Sequence, residues 1–133
     1  MEVNQREKLA CRRESQLPFD TVVNNLQEQS AANQFRVLAV HNVQKTLAEK
    51  GLEREPLTII EVCNAGFAHQ ALQQAIEVSL FMPCKFSVYT EGKKTVVLLA
   101  RPGMISAMLP DAELEKLAGE VEDRLKKVME AAI

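Results

Sequence analysis

The fold of this chain is decided by residues 57–89, which read LTIIEVCNAGFAHQALQQAIEVSLFMPCKFSVY. The apolar run 57–62 predicts a buried strand, the segment after it has the apolar period of a helix, and residues 84–89 predict a second strand. One cysteine stands at each joint, Cys63 before the helix and Cys84 after it. The remaining elements are expected to pack around this strand, helix and strand.

The same patterns predict the elements on either side. Alternating or continuous apolar residues indicate strands, and apolar residues three or four positions apart indicate helices. The order of elements predicts an α+β fold in a single domain, residues 7–133, with a mixed sheet of about five strands packed against helices and a loose N-terminal segment, 1–6. The predicted strands are 7–14, 35–40, 57–62, 84–89 and 95–100, and the predicted helices are 18–32, 43–50, 65–81, a turn at 104–108 and a long C-terminal helix at 111–132.

The composition excludes several classes of function. The 16 basic and 18 acidic side chains nearly cancel without forming a block of one sign, and only 5% of residues are aromatic, so we expect no binding to nucleic acid. The start of the chain is polar and no apolar run approaches the ~20 residues of a membrane span, so we expect a cytoplasmic protein without membrane contact. The 3 cysteines suggest reduced thiols, and no CxxC or His/Cys cluster predicts a metal or a cofactor.

A strand, a short helix and a second strand between residues 35 and 62 suggest a crossover that joins parallel strands. In that arrangement His41 and Cys63 each follow the carboxyl end of a strand and share one edge of the sheet. Two helices also begin at this edge, at Asn42 and Asn64, and helix amino termini carry unpaired N–H groups and partial positive charge. We therefore expect an edge that can hold an anion or a thiolate.

Each candidate residue also has an ordinary structural interpretation. Cys63 is either a reactive thiol at a helix amino terminus or a small buried apolar residue. His41 is either its activating base or a solvated side chain, and Asn64 fits a simple helix cap. Arg101 either meets an anion or pairs with a carboxylate such as Glu61.

The second cysteine of the stretch, Cys84, follows a proline at the start of a strand and fits a structural role. A disulfide with Cys63 is not expected, because a helix of about 15 residues between parallel strands spans about 22 Å. That separation exceeds the ~7 Å limit between Cα atoms of bridged cysteines. Only an antiparallel arrangement would bring the two thiols together.

With these residues in view, the chain resembles the family known as domain of unknown function 302. The resemblance covers nearly the whole chain from Lys8 onward, and Ala65 departs from it where the family usually has proline. It implies a small α+β domain of bacteria or archaea, often a dimer, and it implies no established activity. The matching segments are Val37-Leu38, Cys63-Asn64-Ala65, Met82-Pro83-Cys84 and Arg101-Pro102-Gly103-Met104.

Three functions follow from these observations. The first is a binding module for a small anionic or sulfur-bearing ligand at the predicted edge. The second is an enzyme of thiol-based sulfur transfer or redox chemistry, and the third is a structural homodimer formed by an edge strand or by the end of the last helix, 128–133. The candidate catalytic residues are Cys63 and His41, and the candidate ligand-binding residues are Asn64, Asn42, Cys84 and Arg101.

Overall fold

A five-stranded sheet forms the centre of the chain in the computed structural model, which describes residues 4–133. The strands lie in the order β1-β5-β4-β3-β2 and the fold is α+β with a long last helix, as predicted. The strands are β1 (Ala10–Ser15), β2 (Arg36–Asn42), β3 (Leu57–Cys63), β4 (Cys84–Glu91) and β5 (Lys94–Ala100). The helices are α1 (Gln5–Leu9), α2 (Phe19–Ala32), α3 (Val43–Ala48), α4 (Ala65–Gln74), α5 (Pro102–Met108) and α6 (Glu115–Ala132), with 3₁₀ helices at Ile76–Phe81 and Pro110–Ala112.

All strand pairings among residues 4–133 are antiparallel, so the prediction of a mixed sheet with a parallel crossover is wrong. In the pairing of β2 with β3, His41 lies opposite Ile59 and Arg36 lies opposite Cys63. A crossover needs a helix that covers the face of the sheet, but α3 has only 6 residues and none of them is buried. The chain between the two strands therefore turns back at the edge of the sheet, as a long hairpin connection.

The hydrophobic core lies between the sheet and the pair of helices α2 and α6. Its largest fully buried side chains include Phe35, Phe86 and Leu125, and the stripe of α6 continues through Val128 and Met129, which are both 0% exposed. This stripe packs within its own chain, so the end of α6 does not offer an apolar face to a partner. The burial of Val128 and Met129 counts against the prediction that residues 128–133 pair with a second copy, and the dimer itself stays a prediction.

Element boundaries differ from the predictions where local interactions decide them. The predicted loose segment 1–6 is in part helical, because the Asn4 side chain accepts a hydrogen bond from the Arg6 N–H and caps α1; residues 1–3 of that prediction lie outside the described residues. The predicted helix 65–81 is two helices, since the backbone is extended at Ala75. The tight turn between β4 and β5 is as predicted, with Gly92 at φ 61°.

Candidate functional site

A cavity of about 90 Å³ opens where β3 ends, β4 begins and α4, α5 and α6 meet. We call it the thiol cavity, because Cys63 and Cys84 are both among the residues that line it. Its lining is apolar apart from these thiols, the amide of Asn64 and the hydroxyl of Ser106, and all of its lining residues within 4–133 are uncharged. The walls include Phe67, Ala71, Ile105 and Leu117.

The antiparallel pairing of β3 with β4 brings the two cysteines together. Cys84 lies directly opposite Val62, the residue before Cys63, so the thiols stand on adjacent strands one position apart. Both are free thiols and both are partly buried. This is the arrangement that a parallel crossover would have prevented.

Both thiols are held in the protonated form. Burial raises the pKa of Cys63 above its ordinary value of 9.0. Burial, together with the nearby negative charge of a Cys63 thiolate, raises the pKa of Cys84 to about 11. Neither cysteine is therefore an activated thiolate at neutral pH, in contrast to the expectation for a thiol at a helix amino terminus.

Asn64 acts as the helix cap that the sequence suggested. Its Oδ1 accepts a hydrogen bond from the Phe67 N–H at 3.0 Å and so begins α4. Its Nδ2 donates to the Gln34 carbonyl at 3.0 Å, which ties the end of β3 to the turn before β2. Both polar groups of the side chain are thus engaged by the protein, and Asn64 positions one wall of the cavity.

The aromatic wall of the cavity is fixed by its neighbours. The ring of Phe67 lies 6.2 Å from that of Phe35, centroid to centroid, and the guanidinium carbon of Arg124 lies 5.2 Å from the Phe67 centroid. The first contact anchors α4 to the core, and the second is a cation–π contact from α6. Phe67 is thus held between the core and α6 on one wall of the cavity.

His41 and Asn42 lie at the other end of β2 and take no part in this site. His41 is opposite Ile59, four positions before Cys63. Because a strand rises about 3.4 Å per residue, His41 and Cys63 lie about 14 Å apart along the strand direction. The His41 Nε2 atom is 3.4 Å from a carboxylate oxygen of Glu61 and the side chain is 53% exposed. Asn42 caps α3 by accepting from the Lys45 N–H. The predicted pairing of His41 with Cys63 is therefore wrong.

Arg101 pairs with a carboxylate, but not with Glu61. Its Nη1 atom is 3.5 Å from Oε2 of Glu122 on α6, and Nζ of Lys126 is 3.1 Å from the same oxygen. The two cations and one carboxylate join the start of α5 to α6. Arg101 thus adjoins Pro102, which lines the thiol cavity, without lining the cavity itself.

The sequence did not predict the cavity, since the lining residues come from segments far apart in the chain. Small side chains were one local signal, because Ala68, Ala71 and Ala118 all line the cavity. Alanines on the inner side of a helix suggest close approach to the sheet, but here they leave space that no larger side chain fills. Contributions from α5, such as Ile105 and Ser106, gave no signal of their own.

Within residues 4–133, no group of three or more His, Cys, Asp or Glu side chains is placed to hold a metal ion. No helix in this range is both long and apolar enough to cross a membrane.

The fold and the site together define a small α+β domain in which an antiparallel sheet and the helices α4, α5 and α6 line an apolar cavity with two free thiols. The sequence matches the family described as domain of unknown function DUF302 over residues 11–132, so the chain belongs to the DUF302 family. No curated protein matches the chain. A similar solved structure is the crystal structure of an uncharacterized conserved DUF302 protein from Bacillus stearothermophilus, with a TM-score of 0.89 at 29% identity over 94% of this chain and 98% of the other.

Proposed function

We propose that this domain binds a small, largely apolar, sulfur-bearing ligand in the thiol cavity. The observation that carries the proposal is a cavity of about 90 Å³ in which two free thiols are the main unengaged polar groups. Asn64 is occupied by its two hydrogen bonds, and the Ser106 hydroxyl donates to the Gly103 carbonyl at 2.8 Å. Sulfur is polarisable and makes favourable contacts with apolar and aromatic walls such as Phe67.

An anionic ligand is less well supported than the sequence suggested. Transfer of an anion from water to an apolar site is costly unless a cation or several hydrogen-bond donors replace its hydration. The lining residues within 4–133 carry no charge. Arg101, which adjoins the lining residue Pro102, is engaged with Glu122, and the guanidinium of Arg124 lies over the ring of Phe67. The sulfur-bearing class of the two proposed ligand classes therefore fits this cavity better.

In this geometry His41 cannot act as the base that the enzyme alternative requires. His41 lies at the opposite end of β2, and the pKa of the Cys63 thiol is raised rather than lowered. A Cys63 nucleophile activated by His41 is therefore not supported. We propose a binding function in the cytoplasm, where free thiols remain reduced.

The test is a titration of ¹⁵N-labelled protein with ethyl methyl sulfide, followed by amide chemical shifts. At no more than about 1.5 kcal/mol for each of its four heavy atoms, this probe binds with a Kd no tighter than about 40 µM, so the titration extends to millimolar concentrations. We expect shifts that saturate at Cys63, Asn64 and Cys84. Sodium sulfate is the matched anionic probe and should leave these amides unchanged.

Two variants of α4 make the test specific to the cavity. Ala71 lines the cavity, so Ala71→Met fills it and should abolish the shifts. Gln73 is exposed on the same helix, so Gln73→Met is the control and should bind as the unchanged protein does. Saturating shifts from sulfate instead of the sulfide, or no shifts from the sulfide at all, would rule out the proposal.

A homodimer, which the family resemblance implies, remains a second proposal. The 3₁₀ helix Ile76–Phe81 exposes large apolar side chains, with Ile76 69% and Leu80 79% exposed. Large exposed apolar side chains within one short segment are typical of a site where another chain binds, and we expect a second copy there. Sedimentation of Leu80→Glu tests it, because an exposed charge should dissociate the dimer without unfolding the chain; a dimer that persists refutes this interface.

A further inference from the structure

We propose that Cys63 and Cys84 form a dithiol site that reduces a small uncharged disulfide bound in the thiol cavity. The inference rests on the proposed function, because the disulfide must enter the same cavity as the sulfur-bearing ligand. It deepens that function by naming the ligand class and a reaction. The observations that carry it are the antiparallel pairing of β3 with β4 and the presence of both thiols in one apolar cavity.

The backbone geometry allows a bond between the two sulfurs. Adjacent strands lie about 4.8 Å apart and residues rise about 3.4 Å along a strand, so Cα atoms offset by one position are about 6 Å apart. Bridged cysteines have Cα atoms about 4.4–6.8 Å apart. Residues one position apart in a regular strand point to opposite faces, but Cys63 is the last residue of β3 and the chain there turns into α4. Both residues consequently border the same cavity.

The reaction is a thiol–disulfide exchange in two steps. The Cys63 thiol loses its proton and its sulfur attacks one sulfur of the bound disulfide, whose S–S bond breaks; the departing thiolate takes up a proton and leaves as a thiol. The Cys84 sulfur, after losing its own proton, then attacks the Cys63 sulfur and releases the second thiol. One disulfide is reduced to two thiols by two electrons, and Cys63 and Cys84 are oxidised to a disulfide.

The structure assigns the order of attack. Cys63 is the last residue of β3 and the less deeply buried of the two thiols, so an entering disulfide reaches it first; the raised pKa of Cys84, about 11, agrees with its place as the second nucleophile. Once Cys63 is in a mixed disulfide it carries no charge, and its contribution to the raised pKa of Cys84 disappears. Cys84 is then held next to the bond it must attack, which replaces a bimolecular collision by an intramolecular step. No charged side chain lines the cavity within residues 4–133, so an uncharged disulfide is favoured over a charged one.

The experiment incubates the reduced full chain with dimethyl disulfide, which matches ethyl methyl sulfide with one carbon replaced by sulfur. Intact mass and peptide mapping then identify the products. We expect the unchanged protein to lose two hydrogens and to yield a Cys63–Cys84 disulfide, with release of methanethiol. Cys84→Ser should stop at a stable methylthio adduct on Cys63, and Cys63→Ser should react at least about tenfold more slowly. Cys11→Ser is the control and should behave as the unchanged protein does.

Mapping of the unchanged protein decides the proposal even if a variant fails to fold. If ethyl methyl sulfide binds but both thiols stay reduced after incubation with dimethyl disulfide, the exchange is ruled out and the binding function is retained. If neither compound binds, both proposals fall. A bridge to Cys11 instead of the Cys63–Cys84 bridge would also overturn the dithiol site.

Discussion

The buried thiol of Cys84 predicts a loss of stability in mildly alkaline solution. Its pKa is raised from an ordinary value of 9.0 to about 11 by burial and by the neighbouring Cys63. The folded chain therefore holds this proton more tightly than the unfolded chain does. The stabilisation is fully present below about pH 9 and is lost as the pH rises through about 11.

The size of the effect follows from the difference between the two pKa values. A difference of about two pH units corresponds to about 3 kcal/mol when both states are fully titrated. Integration from about pH 8 to about pH 10, where the unfolded thiol is largely ionised and the folded thiol is not, gives a loss of about 1 kcal/mol. This is a large fraction of the stability of a small domain.

Urea denaturation under reducing conditions at several pH values measures this loss. Other groups also titrate in this range, so the informative quantity is the difference in unfolding free energy between the unchanged protein and Cys84→Ala. We expect that difference to fall by about 1 kcal/mol between about pH 8 and about pH 10. Val62→Ala is the matched control, because it removes a buried neighbour opposite Cys84 that does not titrate. A constant difference for Cys84→Ala would show that its thiol is not buried as described.

Three further predictions concern the scaffold of the site, and each is measured by urea denaturation at neutral pH. Asn64→Ala removes the cap that accepts from the Phe67 N–H and should cost about 1 kcal/mol, whereas an unchanged midpoint would contradict the capping role. Gly92→Ala should lower the free energy of unfolding by about 1 kcal/mol because φ is 61° there. Gly119→Ala should instead raise the free energy of unfolding by about 0.5–1 kcal/mol, since a Cβ at this position in α6 meets open space. Changes of the same sign in the two variants would contradict this prediction. Leu125→Ala should cost about 2–5 kcal/mol, since Leu125 is 0% exposed, and a cost below about 1 kcal/mol would place α6 outside the core.

Local sequence signals predicted most elements of this fold because they depend on neighbours in the chain. The apolar stripe of α6, the strand before Cys63 and the turn at Gly92 are all confirmed. The break at Ala75 was missed, because residues on both sides of it keep an apolar pattern compatible with one helix. The periodicity of apolar residues alone does not show where a helix is interrupted.

Strand direction was the property that local signals could not determine. The segment between β2 and β3 contains a short helix, as a crossover would, yet α3 buries none of its residues. Whether such a helix covers the sheet depends on what else competes for that face, and here α2 and α6 occupy the core beside it. The cavity was beyond prediction for the same reason, since Ile105 and Phe67 meet only after the whole chain is folded.

The direction of β3 also determines which pair of candidate residues can act together. An antiparallel strand places its carboxyl end beside the amino ends of both neighbours, which here are Arg36 on β2 and Cys84 on β4. A residue at the carboxyl end of β2, such as His41, is then kept at the far end by the length of the strand, whichever rotamer it adopts. The antiparallel direction of β3 that separates the His41 imidazole from Cys63 also brings Cys84 next to Cys63. The exchange that we propose is therefore one of sulfur with sulfur, in an apolar cavity whose lining residues within 4–133 carry no charge.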